Sequence, residues 1–106
     1  MLIADRKHAD DVLALVHAIA PFARSGIELD TLAPRLLIAS KRVEKLLRKH
    51  ADYFVRVGAT RKIALNRFGK FSGSKERIIA DVEQSYEQTK RQGIVVLIIV
   101  ILIGIL

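Results

Sequence analysis

Leu46-Leu47-Arg48-Lys49-His50-Ala51-Asp52-Tyr53-Phe54-Val55-Arg56-Val57-Gly58 is the stretch at which the chain changes its period. Up to His50 the apolar residues Val43, Leu46 and Leu47 keep helical spacing. Beyond it, Tyr53-Phe54-Val55-Arg56-Val57 is dense in strand formers, and Gly58-Ala59-Thr60 supplies a turn. Arg61 to Phe68 is then a second run, with Ile63 and Leu65 on one face. Two such runs joined by a Gly-containing loop read as a β-hairpin. A helix feeding directly into a hairpin is the expectation around which the rest of the chain is organised.

Upstream, Val12, Leu15, Val16, Ile19 and Phe22 form the stripe of an amphipathic helix, which Pro21 disturbs and Ser25-Gly26 ends. Ile27-Glu28-Leu29 is a short extended stretch. Asp30 is expected to cap a second helix carrying Leu32, Leu36 and Leu37, with Pro34 in its first turn. Ser40, with Glu44 near capping-box spacing, marks the start of a third helix running to about His50. Downstream, Gly69 and Gly73 bracket a loop, and Ser74 caps a last helix with Ile78, Ile79, Val82 and Tyr86 on a thin apolar stripe.

The residues from Gly93 to Leu106 are only Gly, Ile, Val and Leu, directly after Lys90-Arg91-Gln92. Burial is worth roughly 0.8 kcal/mol per methylene, so Ile94, Val95, Val96, Leu97, Ile98, Ile99, Val100, Ile101, Leu102, Ile103, Ile105 and Leu106 should enter lipid or pack against a partner. As a helix, the segment reaches about 21 Å of a hydrocarbon core about 30 Å thick, which is short for a lone span. It has no polar face, and basic residues flank only its N-terminal side, the pattern of a cytoplasmic domain anchored by its tail. Gly93 costs a helix only about 1 kcal/mol, so the last helix can run into the tail unbroken. Met1-Leu2-Ile3-Ala4-Asp5-Arg6-Lys7 has no long apolar run, and no secretory signal is expected.

Helix, short strand, two helices and a hairpin is the order of a winged helix. The residues from Leu46 to Gly58 are similar to the third helix and first wing strand of LOTUS-type and HARE-type winged helices, and the resemblance covers about residues 8–70. It implies a mainly α fold with a small β-hairpin, a winged helix-turn-helix that binds DNA through its third helix or serves as an RNA or protein adaptor. The tail has no counterpart in those families. The expected organisation is a winged-helix head over 1–72, an amphipathic stalk helix over 73–92, and a hydrophobic tail helix over 93–106 that anchors or oligomerises.

The net charge is +7, and ten of the eighteen basic residues lie between Lys41 and Lys70 against only Glu44 and Asp52. Such a field suits a polyanion: nucleic acid or anionic headgroups. Lys41, Arg42, Lys45, Arg48 and Lys49 are expected on the outer face of the third helix, Arg61 and Lys62 at the wing tip, and Arg56 and Arg67 on its strands. Phosphate contacts on both sides of a groove follow, with DNA ahead of RNA. The helix offers no Asn or Gln to read adenine, so sequence preference should be weak.

No catalytic constellation is visible, and neither a cofactor nor a metal is expected. The chain has no cysteine. His8 and Asp11 share helical spacing but lack further donors, while His50 is expected as a charged helix end favoured by the dipole. Ser74 has no activating base. The resulting expectation is a membrane-tethered, weakly sequence-specific nucleic-acid binder, with its head on the cytoplasmic side and self-association through residues 75–106. The alternative is a non-enzymatic assembly protein that multimerises through its last helix and tail, with the basic face on lipid or an acidic partner.

Overall fold

The computed structural model of the chain describes residue 3 and residues 5–105; Leu106 of the tail lies outside them, as do Met1, Leu2 and Ala4. The elements are α1 (Arg6–Ile19), a 3-10 turn (Ala20–Phe22), β1 (Ile27–Glu28), α2 (Leu29–Leu36), α3 (Ser40–Lys49), β2 (Phe54–Arg56), β3 (Lys62–Leu65) and α4 (Lys75–Ile105). The fold is mainly helical, with a small antiparallel sheet in the order β1-β3-β2.

Asp5 caps α1, its carboxylate accepting the His8 N–H at 2.7 Å. Ala9, Val12, Leu15, Val16 and Ile19 bury the expected stripe. After the 3-10 turn, Gly26 adopts φ +74, and a Cβ there would lie 2.9 Å from the Ile63 carbonyl oxygen. Only glycine lets the chain turn this sharply and still approach β3.

The hairpin forms where its residues predict, with Phe54 opposite Leu65, Val55 opposite Ala64 and Arg56 opposite Ile63. It is not an isolated pair. Ile27 and Glu28 add a third strand opposite Ile63 and Lys62, making β3 the central strand. Two residues carry too little pattern to announce a pairing with partners as distant as Lys62 and Ile63.

Two caps and one proline lie elsewhere than expected. The chain enters α2 straight from β1, so extended Glu28 is the capping position, and no side chain bonds there. The Leu29 N–H is taken instead by the Arg61 carbonyl at 3.2 Å. Asp30, expected as the cap, sits inside the first turn and pairs with Arg61 at 3.2 Å. Pro34, expected in the first turn, lies near the C-terminal end, two residues before Leu36. Ser40 is the first helical residue of α3, because Ala39 is already extended and its carbonyl accepts from Arg42 and Val43.

Between α2 and α3, Leu37 adopts the left-handed conformation at φ 55. Its N–H donates to the Pro34 carbonyl and that of Ile38 to the Ala33 carbonyl, both at 3.3 Å. This is a Schellman ending, normally completed by glycine.

Asn66 organises the loop after β3. Its Nδ2 donates to the Ala51 carbonyl at 2.8 Å, and its Oδ1 accepts from the Phe68 and Gly69 N–H groups. Its own N–H donates to the Tyr53 carbonyl, and its carbonyl accepts from Gly73. The loop then delivers Ser74, whose hydroxyl accepts the Arg77 N–H at 3.3 Å and caps α4 as expected.

α4 runs for 31 residues without a break at Gly93, about 46 Å at helical rise. Its first three turns are not a free stalk. Ile78 and Val82 are fully buried in the same core as Val12, Leu15 and Phe71, with Ile79 and Tyr86 packed against it. Arg6 donates to both Glu83 carboxylate oxygens, at 3.0 and 3.1 Å, and lies 4.8 Å from the Tyr86 ring centre. The stripe expected to meet a partner helix therefore meets α1, and packing does not divide at residue 72. A two-residue-wide stripe is enough because α1 supplies the rest of the apolar surface. From Lys90 through residue 104 every side chain is exposed. Among the described residues, no helix is long and apolar enough to cross a membrane.

Val82→Asp should therefore cost about 3 kcal/mol or more of head stability, as expected for a buried unpaired carboxylate. Urea melts of the chain ending at Gln92 measure it, with exposed Glu87→Ala as the unchanged control.

Candidate nucleic-acid interface

Val43 and Leu46 fix the inward side of α3, and Leu47 is only half-buried at its margin. The outward side then belongs to positions 41, 45 and 48, which repeat one face of a helix. Lys41, Lys45 and Arg48 are exposed there, with Lys49 exposed on one flank and Glu44 half-buried on the other. Arg42 is not free. Its Nε donates to Asp11 at 2.8 Å, tying α3 to α1. Its expected outward position is corrected by a carboxylate one helix away, which the sequence alone does not pair with it.

A hollow of about 250 Å³ lies between α3 and the hairpin. Leu29, Leu47, Phe54, Val55 and Ile63 form its apolar lining, and Arg48, Arg56, Arg61 and Glu44 its polar one. The structure thus brings Arg48, Arg56 and Arg61 together beside the exposed Lys41 and Lys45. Arg61 is partly neutralised by Asp30. Lys62 is half-buried on β3. Arg67 is exposed beyond β3, its guanidinium 4.9 Å from the Phe68 ring centre, and lines a different hollow. That second hollow also takes Arg24, which stands outside the basic cluster in sequence and had no local signal to mark it.

The histidines depart furthest from expectation. His8 Nε2 and His50 Nε2 lie 2.9 Å apart and share a hydrogen bond between α1 and the end of α3. The His50 ring stacks on Tyr53 with an interplanar angle of 2°, and the Tyr53 hydroxyl donates to Asp81 on α4. His50 does occupy the C-terminal cap position of α3, but it is only 4% exposed. Burial first, then the neighbouring His8 and Lys49, lower its pKa to about 4. His8 is also lowered, by burial and by Lys49 and Arg42. His50 is therefore neutral, and desolvation outweighs the helix dipole that favoured charge. Asp11, the expected neighbour of His8, is occupied by Arg42. Among the described residues, no group of three or more His, Cys, Asp or Glu side chains converges as metal ligands would.

Comparison with protein-family models, with curated proteins and with solved structures finds no match for the chain. The arrangement of its own residues is what bears on function.

The histidine pair makes stability depend on acid. Unfolded His50 titrates near 6.5 and folded His50 near 4, so the unfolded chain binds more protons between those values. The contribution is complete above pH 6.5 and is lost as pH falls toward 4. The melting temperature should drop over that window, and His50→Phe, which can still stack on Tyr53, should flatten the drop. Thermal melts from pH 7.5 to 4 give the comparison.

Proposed function

We propose that the head is a winged helix-turn-helix that binds nucleic acid with weak sequence preference, and that α4 carries it to a membrane on the cytoplasmic side. The observation that carries this reading is the alignment of Lys41, Lys45 and Arg48 on the outer face of α3 beside Arg56 on the adjoining hairpin. Cations on a helix and on a neighbouring strand face a polyanion from two sides, as phosphate contacts require. The element order and the three-residue link, Leu37 to Ala39, between α2 and α3 suit the same scaffold. Phosphate contacts without Asn or Gln on the helix suit positioning more than base reading.

One observation favours the assembly reading as well. The apolar helix from Ile94 to Ile103 is exposed on all sides and shorter than a bilayer span. Tails packed against one another would remove it from water equally well. In either case, self-association falls to the part of α4 beyond Tyr86, since Ile78 and Val82 are occupied by α1.

The chain ending at Gln92 should bind random-sequence duplex DNA at low ionic strength. Each neutralised phosphate contributes roughly 0.9 to the log–log salt slope, so four exposed cations give about −3 to −4. Replacing Lys41, Lys45 and Arg48 with Glu should abolish binding without lowering the melting temperature. Arg42→Glu should instead destabilise the head by setting a carboxylate against Asp11. A folded head with no affinity for duplex would move the basic face to lipid or an acidic protein.

For the tail, co-flotation with anionic vesicles should be complete for the whole chain and lost on removal of residues 93–106. A discrete oligomer that stays with the protein fraction without detergent would transfer the tail to the assembly reading.

A further inference from the structure

The hollow behind the hairpin has a chemistry distinct from that of the front groove. It measures about 420 Å³, within the range of small-ligand sites at roughly 300–1,000 Å³. Arg24, Arg56 and Arg67 line it, with Ala64 and Leu65 among its apolar residues and Ser72 beside them. No carboxylate lines it, whereas Glu44 stands in the front groove. Three arginines around one hollow, with no acidic residue in its lining, favour an anion.

Phe68 stands at the same hollow and is 77% exposed. A scattered surface phenylalanine is ordinary, but this one is held in place. Asn66 Oδ1 accepts the Phe68 N–H at 2.9 Å and the Gly69 N–H at 3.2 Å, so the backbone presenting the ring is pinned to the end of β3. Arg67 lies over the ring at 4.9 Å. A pre-positioned aromatic ring and three cations, with no acid among them, match a ligand that is flat and apolar at one end and anionic at the other.

We propose that this hollow holds one nucleotide unit, its base stacked on Phe68 and its phosphate among Arg24, Arg56 and Arg67, supplied by an unpaired end of the bound nucleic acid. The source rests on the nucleic-acid reading of the head. Arg56 connects the two places, for it lines both the front groove and the rear hollow across the edge strand β2. A strand leaving a duplex on α3 can pass that edge and lodge its next base behind the hairpin. Stacking on aromatic side chains accepts any base, which agrees with weak sequence preference.

The full chain in non-ionic detergent micelles tests this with two probes: a blunt duplex, and the same duplex bearing a short overhang with 2-aminopurine. Base–aromatic stacking is worth enough that the overhang should raise affinity about tenfold, with quenching of the 2-aminopurine emission. Phe68→Ala should remove the advantage and the quenching while leaving blunt-duplex affinity unchanged, and Phe68→Tyr should retain both. Arg24→Ala with Arg67→Ala should weaken overhang binding alone. Equal affinity for both probes, unaffected by Phe68→Ala and with no Phe68-dependent binding of free nucleotide, would overturn the rear site and leave the duplex reading standing. No binding of either probe would overturn both. Titration with adenosine 5′-monophosphate separates the sources: Phe68-dependent binding of the free nucleotide without an overhang advantage would overturn the strand as supplier.

Discussion

The packing of α4 on α1 is the constraint from which most of the molecule follows. Ile78 and Val82 lie fully buried among residues of α1, and Arg6 clamps the outer edge of the contact through Glu83 and Tyr86. Burial of each aliphatic side chain contributes roughly 1.5–3 kcal/mol, so the contact is a sizeable part of what stabilises a head of this size. It also changes what the C-terminal segment is. A helix rooted in the core and continuous to Ile105 is a direct extension of the head, and its apolar end is carried on the same helix as the core residues Ile78 and Val82.

The same economy of contacts decides which cations are free. Asp11 takes Arg42 and Asp30 takes Arg61, and both pairs join separate elements: α3 to α1, and the hairpin loop to α2. These ion pairs are at least partly exposed and stabilise the fold only modestly. Their larger consequence is electrostatic: they remove two charges from the basic field and leave Lys41, Lys45 and Arg48 as its outward centre. A head that must be both folded and basic divides its arginines between those two tasks.

The line from His8 through His50 and Tyr53 to Asp81 ties α1, the end of α3 and α4 together beneath that field. Among the described residues no buried side-chain nitrogen or oxygen lacks a partner, so burial costs little so long as the imidazoles stay neutral. Lys49 and Arg42 lie close enough to help keep them so. The basic character of α3 and the neutral state of the histidines behind it are linked properties.

Local pattern determined a good deal. The change of period at His50 announced α3 and the hairpin, Ser74 announced the start of α4, and the Val12–Ile19 stripe announced α1, because spacing and turn chemistry act between near neighbours. The unbroken run of α4 through Gly93 was equally legible, since one glycine is a small cost to a helix. Tertiary structure alone decided what depends on distant partners. It put Ile27 and Glu28 into the sheet, moved the caps of α2 and α3 to extended residues with no side-chain bond, and turned the Val82 stripe onto α1. It paired Arg42 with Asp11, buried His50 against His8, and gathered Arg24, Arg56, Arg67 and Phe68 behind the hairpin. None of these is a matter of sequence spacing. Each arises from desolvation and contact between residues brought together only once the core has formed.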